Sequence, residues 1–290
     1  MAVHGHVLVG YDGTRGSELA LRWAVAEARS RGLPLTVCHA WHWPYPAGHV
    51  DLGGVAIVRR TGEHLLQRGV DIAESLAPGL RVRPVLTDGP ASSALLREAG
   101  DGLIVIGSRE RDELSMGSAA LQVPARAHGP AMVVRDPGGG TEGRVVVGVD
   151  GSAGADAALE FAFEEAALRG WTLEALYGYW EPGGMADIEI TLFADRDRLE
   201  RLCCTRLRRA VAPWADRYPQ VDVRNSLVEE EPRQALLAAA KGADLLVVGD
   251  RGVRGLHPQI LGGTTLAMLQ LAPCTVAVVH PAERRPPVSP

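Results

Sequence analysis

Lysine is almost missing from this chain. Lys241 is the only one, and the rest of the 30 basic residues are arginine. A phosphate-loop, Schiff-base or kinase-type lysine would therefore have to be Lys241. It sits in ALLAAAKGAD, with no G-x-x-x-x-G-K-[ST] around it, which excludes those mechanisms. Long apolar runs are missing too. None approaches the ~18 residues of a membrane span, and the first residues, MAVHGHVLVGYDG, lack the basic-then-apolar pattern of a signal peptide. Cysteine is scarce: Cys38, Cys203, Cys204 and Cys274 show no C-x-x-C and no paired spacing. Reduced thiols in a cytosol are the reading that follows. There is no excess of positive charge. A formal net charge of −5 favours neither nucleic acid nor an anionic membrane surface as partner. G-x-S-x-G, H-E-x-x-H and catalytic-cysteine signatures are all absent, so no nucleophile is visible. His4, His6, His39 and His42 have no acidic or cysteine partner at ligand spacing. No metal site is expected there, and these histidines read as strand-edge or surface positions.

What is present is an ordinary globular composition, 46% hydrophobic and 22% charged over 290 residues, which excludes a disordered chain and suits two domains. The chain also repeats itself. VLVGYDGTRGSELALRWAVAEARSRGLPLTVCHAW (7–41) aligns without a gap on VVVGVDGSAGADAALEFAFEEAALRGWTLEALYGY (145–179). LIVIGS (103–108) aligns on LLVVGD (245–250), and AHGPAMVV (127–134) on LAPCTVAVV (271–279). A period of about 140 residues is far too long for a solenoid. The chain is a duplicated domain, with copies at 1–137 and 138–290. The linker DPGGGTEGR (136–144) is flexible by composition, and the tail PAERRPPVSP is expected to be disordered.

Each copy has one rhythm. A short apolar run is a buried strand, D-G-[TS] a turn, and the next stretch a helix stopped by Gly32 or Gly170. Strand and helix then alternate to a fifth strand, AMVV or VAVV. This alternation predicts an α/β fold: two tandem doubly wound domains, each a parallel sheet with right-handed crossovers. In such a sheet the ligand crevice lies at the carboxyl ends of the strands, where strand order reverses. With strand one central, the loops after strands one and four meet there. In copy two the second of these reads GDRGVRGLHPQILGGTT (249–265). Its glycines admit phosphate oxygens close to the backbone, and the helix that follows exposes unpaired N–H groups. A polyphosphate could be held there without lysine.

The pattern V-x-V-D-G-S, then G-x-x-G-x(9)-G before a short helix, then P-C-x-V-x-V-V, resembles the universal stress protein family over nearly the whole chain. The resemblance implies five-stranded sheets of order 3-2-1-4-5. It also implies an ATP-binding stress-response regulator or sensor, with ATP bound alone or with Mg²⁺. A nucleotide-free scaffold and a slow ATP hydrolase remain as alternatives. By resemblance, Asp150 lies beside the ribose or adenine, and Gly178 lines the adenine slot. The backbone of Gly249, Gly252, Gly262, Gly263 and Thr264 holds the phosphates. The family has Ser or Thr where Gly263 stands, so Thr264 or Thr265 is left to supply a hydroxyl. Arg251 and Arg254 either neutralise phosphate or are simply solvated. Asp12 and Asp150 are equally readable as Asx-turn residues.

Copy one departs from this pattern. Its loop, GSRERDELSMGS (107–118), has Glu110 in place of the second glycine, and only six residues then precede Gly117, against nine in copy two. Asp112 and Glu113 add negative charge. A carboxylate aimed at a phosphate repels it. The corresponding residues Asp12, Ala40, Gly107, Arg109, Gly117 and Ser118 therefore make a weaker second site. Trp41, Trp43 and Trp180 follow strand two and cover either a ligand or adjacent helices. Cys203 and Cys204 fall on a helix, where packing competes with a vicinal-thiol redox role. Family members dimerise through their last strands, so the resemblance implies that Ala131–Val134 and Thr275–Val279 pair as an intramolecular pseudo-dimer, with a homodimer and an unidentified regulatory protein as further partners.

Overall fold

Both halves of the chain begin with a run of branched apolar residues that suits a sheet interior. The computed structural model of the chain describes residues 3, 5–42, 52–108, 118–136, 142–179, 196–252 and 261–281. Two compact units form, with main bodies Ala2–Asp136 and Pro137–Glu283. The first contains β1 (Val7–Gly10), α1 (Arg15–Arg31), β2 (Leu35–Trp41), α2 (Leu52–Leu76), β3 (Val82–Asp88), α3 (Ala91–Ala99), β4 (Leu103–Gly107), α4 (Ser118–Arg126) and β5 (Ala131–Val134). The second repeats the series as β6 (Arg144–Gly148), α5 (Ala153–Arg169), β7 (Thr172–Tyr179), α6 (Arg196–Arg217), β8 (Val223–Glu229), α7 (Pro232–Ala239), β9 (Leu245–Gly249), α8 (Gly263–Leu271) and β10 (Thr275–Val279).

Within each unit every strand pair is parallel, and the order is the one expected: β3-β2-β1-β4-β5 in the first, β8-β7-β6-β9-β10 in the second. The central strands are buried on both faces, with Val7, Leu8 and Val9 matched by Val145, Val146 and Val147. Sheets covered on both faces need such continuous apolar runs rather than alternation.

Local chemistry places the first helix of each unit. Thr14 caps α1, its hydroxyl accepting from Ser17 N at 3.3 Å, and Ser152 caps α5, accepting from Ala155 N at 3.1 Å. The left-handed glycines Gly32 (φ 64°) and Gly170 (φ 65°) end them, a conformation that side chains resist. Each helix buries one glutamate against an arginine a turn later, Glu27 with Arg31 and Glu165 with Arg169, both at 3.0 Å. Between the units, the linker is shorter than the composition suggested. Asp136 still pairs with Arg15 at 2.7 Å, and Arg144 already opens β6, its N–H donating to Asp244 Oδ2 at 3.0 Å. The composition-based tail lies outside the described residues beyond Pro281.

Candidate functional site

The carboxyl rim of the second sheet is assembled from the β6 turn outward. Asp150 Oδ1 accepts the Ser152 N–H at 2.9 Å, so the Asx turn is real. Ser152 also donates its hydroxyl to Arg251 O at 3.4 Å. The turn after β6 is thereby stitched to the loop after β9, two segments that are remote in sequence. Asp150 Oδ2 lies directly against Gly252, where any Cβ would overlap it. A side chain at 252 would push the Asp150 carboxylate out of this position.

The end of β9 is fixed by its neighbours. Asp250 N–H donates to Val279 O at 2.9 Å, and Asp250 C=O accepts the Gly262 N–H at 2.9 Å. The Thr265 hydroxyl donates to Gly249 O at 2.7 Å. These contacts aim the start of α8 at the same rim. Its N-cap is Gly262, which has no side chain to cap with, and the first intrahelical bond is Leu266 N–H to Gly262 O at 2.9 Å. The amides of Gly263, Thr264 and Thr265 bond no described residue, and the space over Gly263 is open. Three N–H groups without a partner among the described residues, at the positive end of a helix, attract an anion.

Several expected donors have other employment. The Gly262 amide is consumed by Asp250 O, so Gly262 contributes the bend rather than a contact. The Thr265 hydroxyl is buried and committed, which leaves Thr264 as the hydroxyl beside the open amides. Gly249 is pressed on the α5 backbone: a Cβ there would stand 2.5 Å from Gly154 C. Gly178 lies against the start of α7, where a Cβ would stand 2.8 Å from Pro232 Cα and 3.1 Å from Glu230 O. Packing alone thus demands glycine at 178 and 249. Arg251 is not simply solvated. Its Nε donates to Asp250 Oδ2 at 3.2 Å, and the side chain is 21% exposed. Arg254 and the loop at 253–260, together with Trp43 and Trp180, lie outside the described residues.

Two site residues escaped the sequence reading. Asp250 is 2% exposed, and its Oδ2 also meets Nδ1 of His280, a fully buried residue just after β10, at 3.3 Å. Comparing the two copies position by position was the available signal. Where the second unit has Asp250 and His280, the first has Ser108 and Arg135.

The first unit uses the same scaffold without this pair. Asp12 Oδ1 accepts from both the amide (3.1 Å) and the hydroxyl of Thr14 (2.6 Å). Burial alone would raise the Asp12 carboxyl, but these hydrogen bonds, one with Ser17 and the nearby His39 outweigh it and hold it below its ordinary value. Gly107 sits against Gly16 as Gly249 does against Gly154, with no room for a Cβ on either side. Ser108 N–H donates to Val134 O at 3.0 Å, repeating the Asp250 bond. Ala40 is the penultimate residue of β2, half-buried beside Thr87. His39 is buried rather than superficial, its Nδ1 2.8 Å from Tyr11 O. Arg109, Glu110, Asp112, Glu113 and Gly117 lie outside the described residues, as does the side chain of Ser118. Of the cysteines, Cys38, Cys203 and Cys274 are buried, and Cys204 is half-buried. Burial pushes the Cys38 thiol up to about 11.

Comparison with known proteins agrees with this architecture. The family model described as the universal stress protein family matches residues 4–135 and again 142–280. A universal stress protein of Mycolicibacterium smegmatis is 30% identical over 292 residues, spanning 95% of this chain and 97% of the relative. Universal stress protein Rv2005c of Mycobacterium tuberculosis is 30% identical over 300 residues, spanning 96% and 97%. Among solved structures, a universal stress protein from Archaeoglobus fulgidus superposes with a TM-score of 0.68 at 18% identity, covering 95% of this chain and 98% of that one. At that identity the superposition speaks to the fold alone.

Proposed function

Because the chain belongs to the universal stress protein family, we propose that it is an ATP-binding stress-response regulator whose competent site is the carboxyl rim of its second unit. The observation that carries this reading is the uncapped start of α8. The amides of Gly263, Thr264 and Thr265 face no described partner, and Asp150 and Gly252 stand across the same rim. A triphosphate supplies the acceptors those amides lack, and the amides stand in as donors where the chain has no phosphate-loop lysine. The turn after β6 and the end of β7 at Gly178 then border the base and sugar. Occupancy alters a surface that a partner protein reads. The first unit is a weak site or none, because Glu110 replaces the glycine that corresponds to Gly252.

Gly262→Asp tests the reading cleanly. Gly262 has φ −60° and ψ 150°, which aspartate adopts without strain, and its Cβ would be 3.3 Å from Arg251 Cα, a contact that small shifts relieve. Aspartate is a good N-cap. Its carboxylate would satisfy the very amides offered to the phosphates and repel the anion. The expected result is an unchanged or slightly raised melting temperature with ATP binding abolished in calorimetric titration. A variant that folds and binds ATP as tightly as the wild type would show that the site lies elsewhere.

A further inference from the structure

The pair Asp250–His280 poses a problem for a phosphate site. A carboxylate close to a bound polyanion weakens it by simple Coulomb repulsion, yet this one is 2% exposed at the root of the loop. Its bonds suggest a different office. The main chain of Asp250 joins three elements: it directly follows β9, its N–H binds β10 at Val279 O, and its C=O binds the N-cap of α8 at Gly262 N–H. Its Oδ2 accepts from Arg251 Nε at 3.2 Å, and His280 Nδ1 lies 3.3 Å from the same oxygen. Arg251 thus has Nε tied down. Its two terminal nitrogens bond no described residue. A guanidinium held by one edge is pre-organised, and its remaining donors lose less freedom on meeting a phosphate. His280, fully buried, leaves the carboxylate little room to rotate away.

We infer that Asp250, buttressed by His280, is a positioning residue: it fixes Arg251 and the first turn of α8 for the terminal phosphates, so that the second unit discriminates nucleotides by phosphate number. This rests on the reading of the second unit as a nucleotide site. The first unit supports the division of labour. It keeps the backbone bond, Ser108 N–H to Val134 O, but has serine and arginine where the pair should be. The backbone therefore does not need the pair.

The two roles predict opposite signs. If Asp250 were merely a nearby negative charge, Asp250→Asn would tighten ATP. If it positions Arg251, the same change loosens ATP about tenfold or more, the usual worth of a hydrogen bond to a charged group, and leaves adenosine affinity unmoved. Full-length wild type, Asp250→Asn, Arg251→Gln and the double variant are titrated calorimetrically with ATP, AMP and adenosine. The positioning role requires that Arg251→Gln cost nothing further once Asp250 is changed. Melting curves accompany each titration. Should Asp250→Asn unfold, the combination Asp250→Ser with His280→Arg takes its place, since the first unit folds with those residues at those positions. ATP binding by the variants equal to or tighter than wild type, or an equal loss for adenosine and ATP, overturns the positioning role while the nucleotide reading stands. A wild-type chain that binds neither ATP nor adenosine removes both.

Discussion

Gly249→Ala is the most discriminating stability experiment this fold offers. The first glycine of a phosphate-loop motif is ordinarily credited to the ligand. Here it faces a helix. An alanine Cβ at 249 would stand 2.5 Å from Gly154 C, 2.7 Å from its O and 2.9 Å from its Cα, where unstrained carbon contacts need about 3.5–4.0 Å. Neither side can yield by rotating a side chain, because both are backbone. Strand β9 and helix α5 must separate by about 1 Å, an overpacking that costs about 1–3 kcal/mol and belongs at the upper end here. For a unit of this size that corresponds to a fall of about 5–10 °C in melting temperature. Differential scanning calorimetry without nucleotide reads it directly. Gly107→Ala must do the same to the first unit, where Gly16 plays the part of Gly154, even though that loop has lost its motif. Gly263→Ala is the control, because no described residue lies within 4 Å of its Cβ. If Gly249→Ala melts with the wild type while ATP affinity falls, the packing argument is wrong and the glycine serves the ligand after all.

Two further outcomes follow from the geometry. Ser152→Ala removes the cap of α5 and the hydroxyl that reaches Arg251 O; it is expected to cost about 1 kcal/mol, read as a shift of a few degrees in the second unit's melting temperature. The Cys38 thiol, raised from 9.0 to about 11 chiefly by burial, keeps its proton in the folded state after the unfolded chain has lost it. The unfolded state therefore binds fewer protons between those values, and stability falls as pH rises from about 9 toward about 11. Urea titrations across that range, repeated on Cys38→Ala, should show a shallower slope in the variant, the remainder belonging to Cys203 and Tyr11, whose values burial also raises.

The fold was legible because its signals are local. Val7–Val9 and Val145–Val147 declare buried strands, Thr14 and Ser152 start helices, and Gly32 and Gly170 stop them, each within a few residues. The duplication then doubled every signal. The site was legible only in outline. Asp150, Gly252 and the α8 terminus do gather on one rim, but spacing could not say that Gly249 and Gly178 answer to packing, or that the Gly262 amide and the Thr265 hydroxyl are already bonded. His39 misled because a histidine in an apolar strand carries no mark of which backbone carbonyl it will meet.

The amino-acid sequence alone determined a tandem pair of parallel α/β units, and the unequal condition of their two loops, because both are written in short-range periodicity and in residues that can be compared copy against copy. Tertiary structure alone decided which donors remain open. Asp250 and His280 meet across 30 positions of chain, and Ser152 and Arg251 across 99. Hydrogen bonds are allotted by distances of about three ångströms in space, and no one-dimensional spacing encodes those.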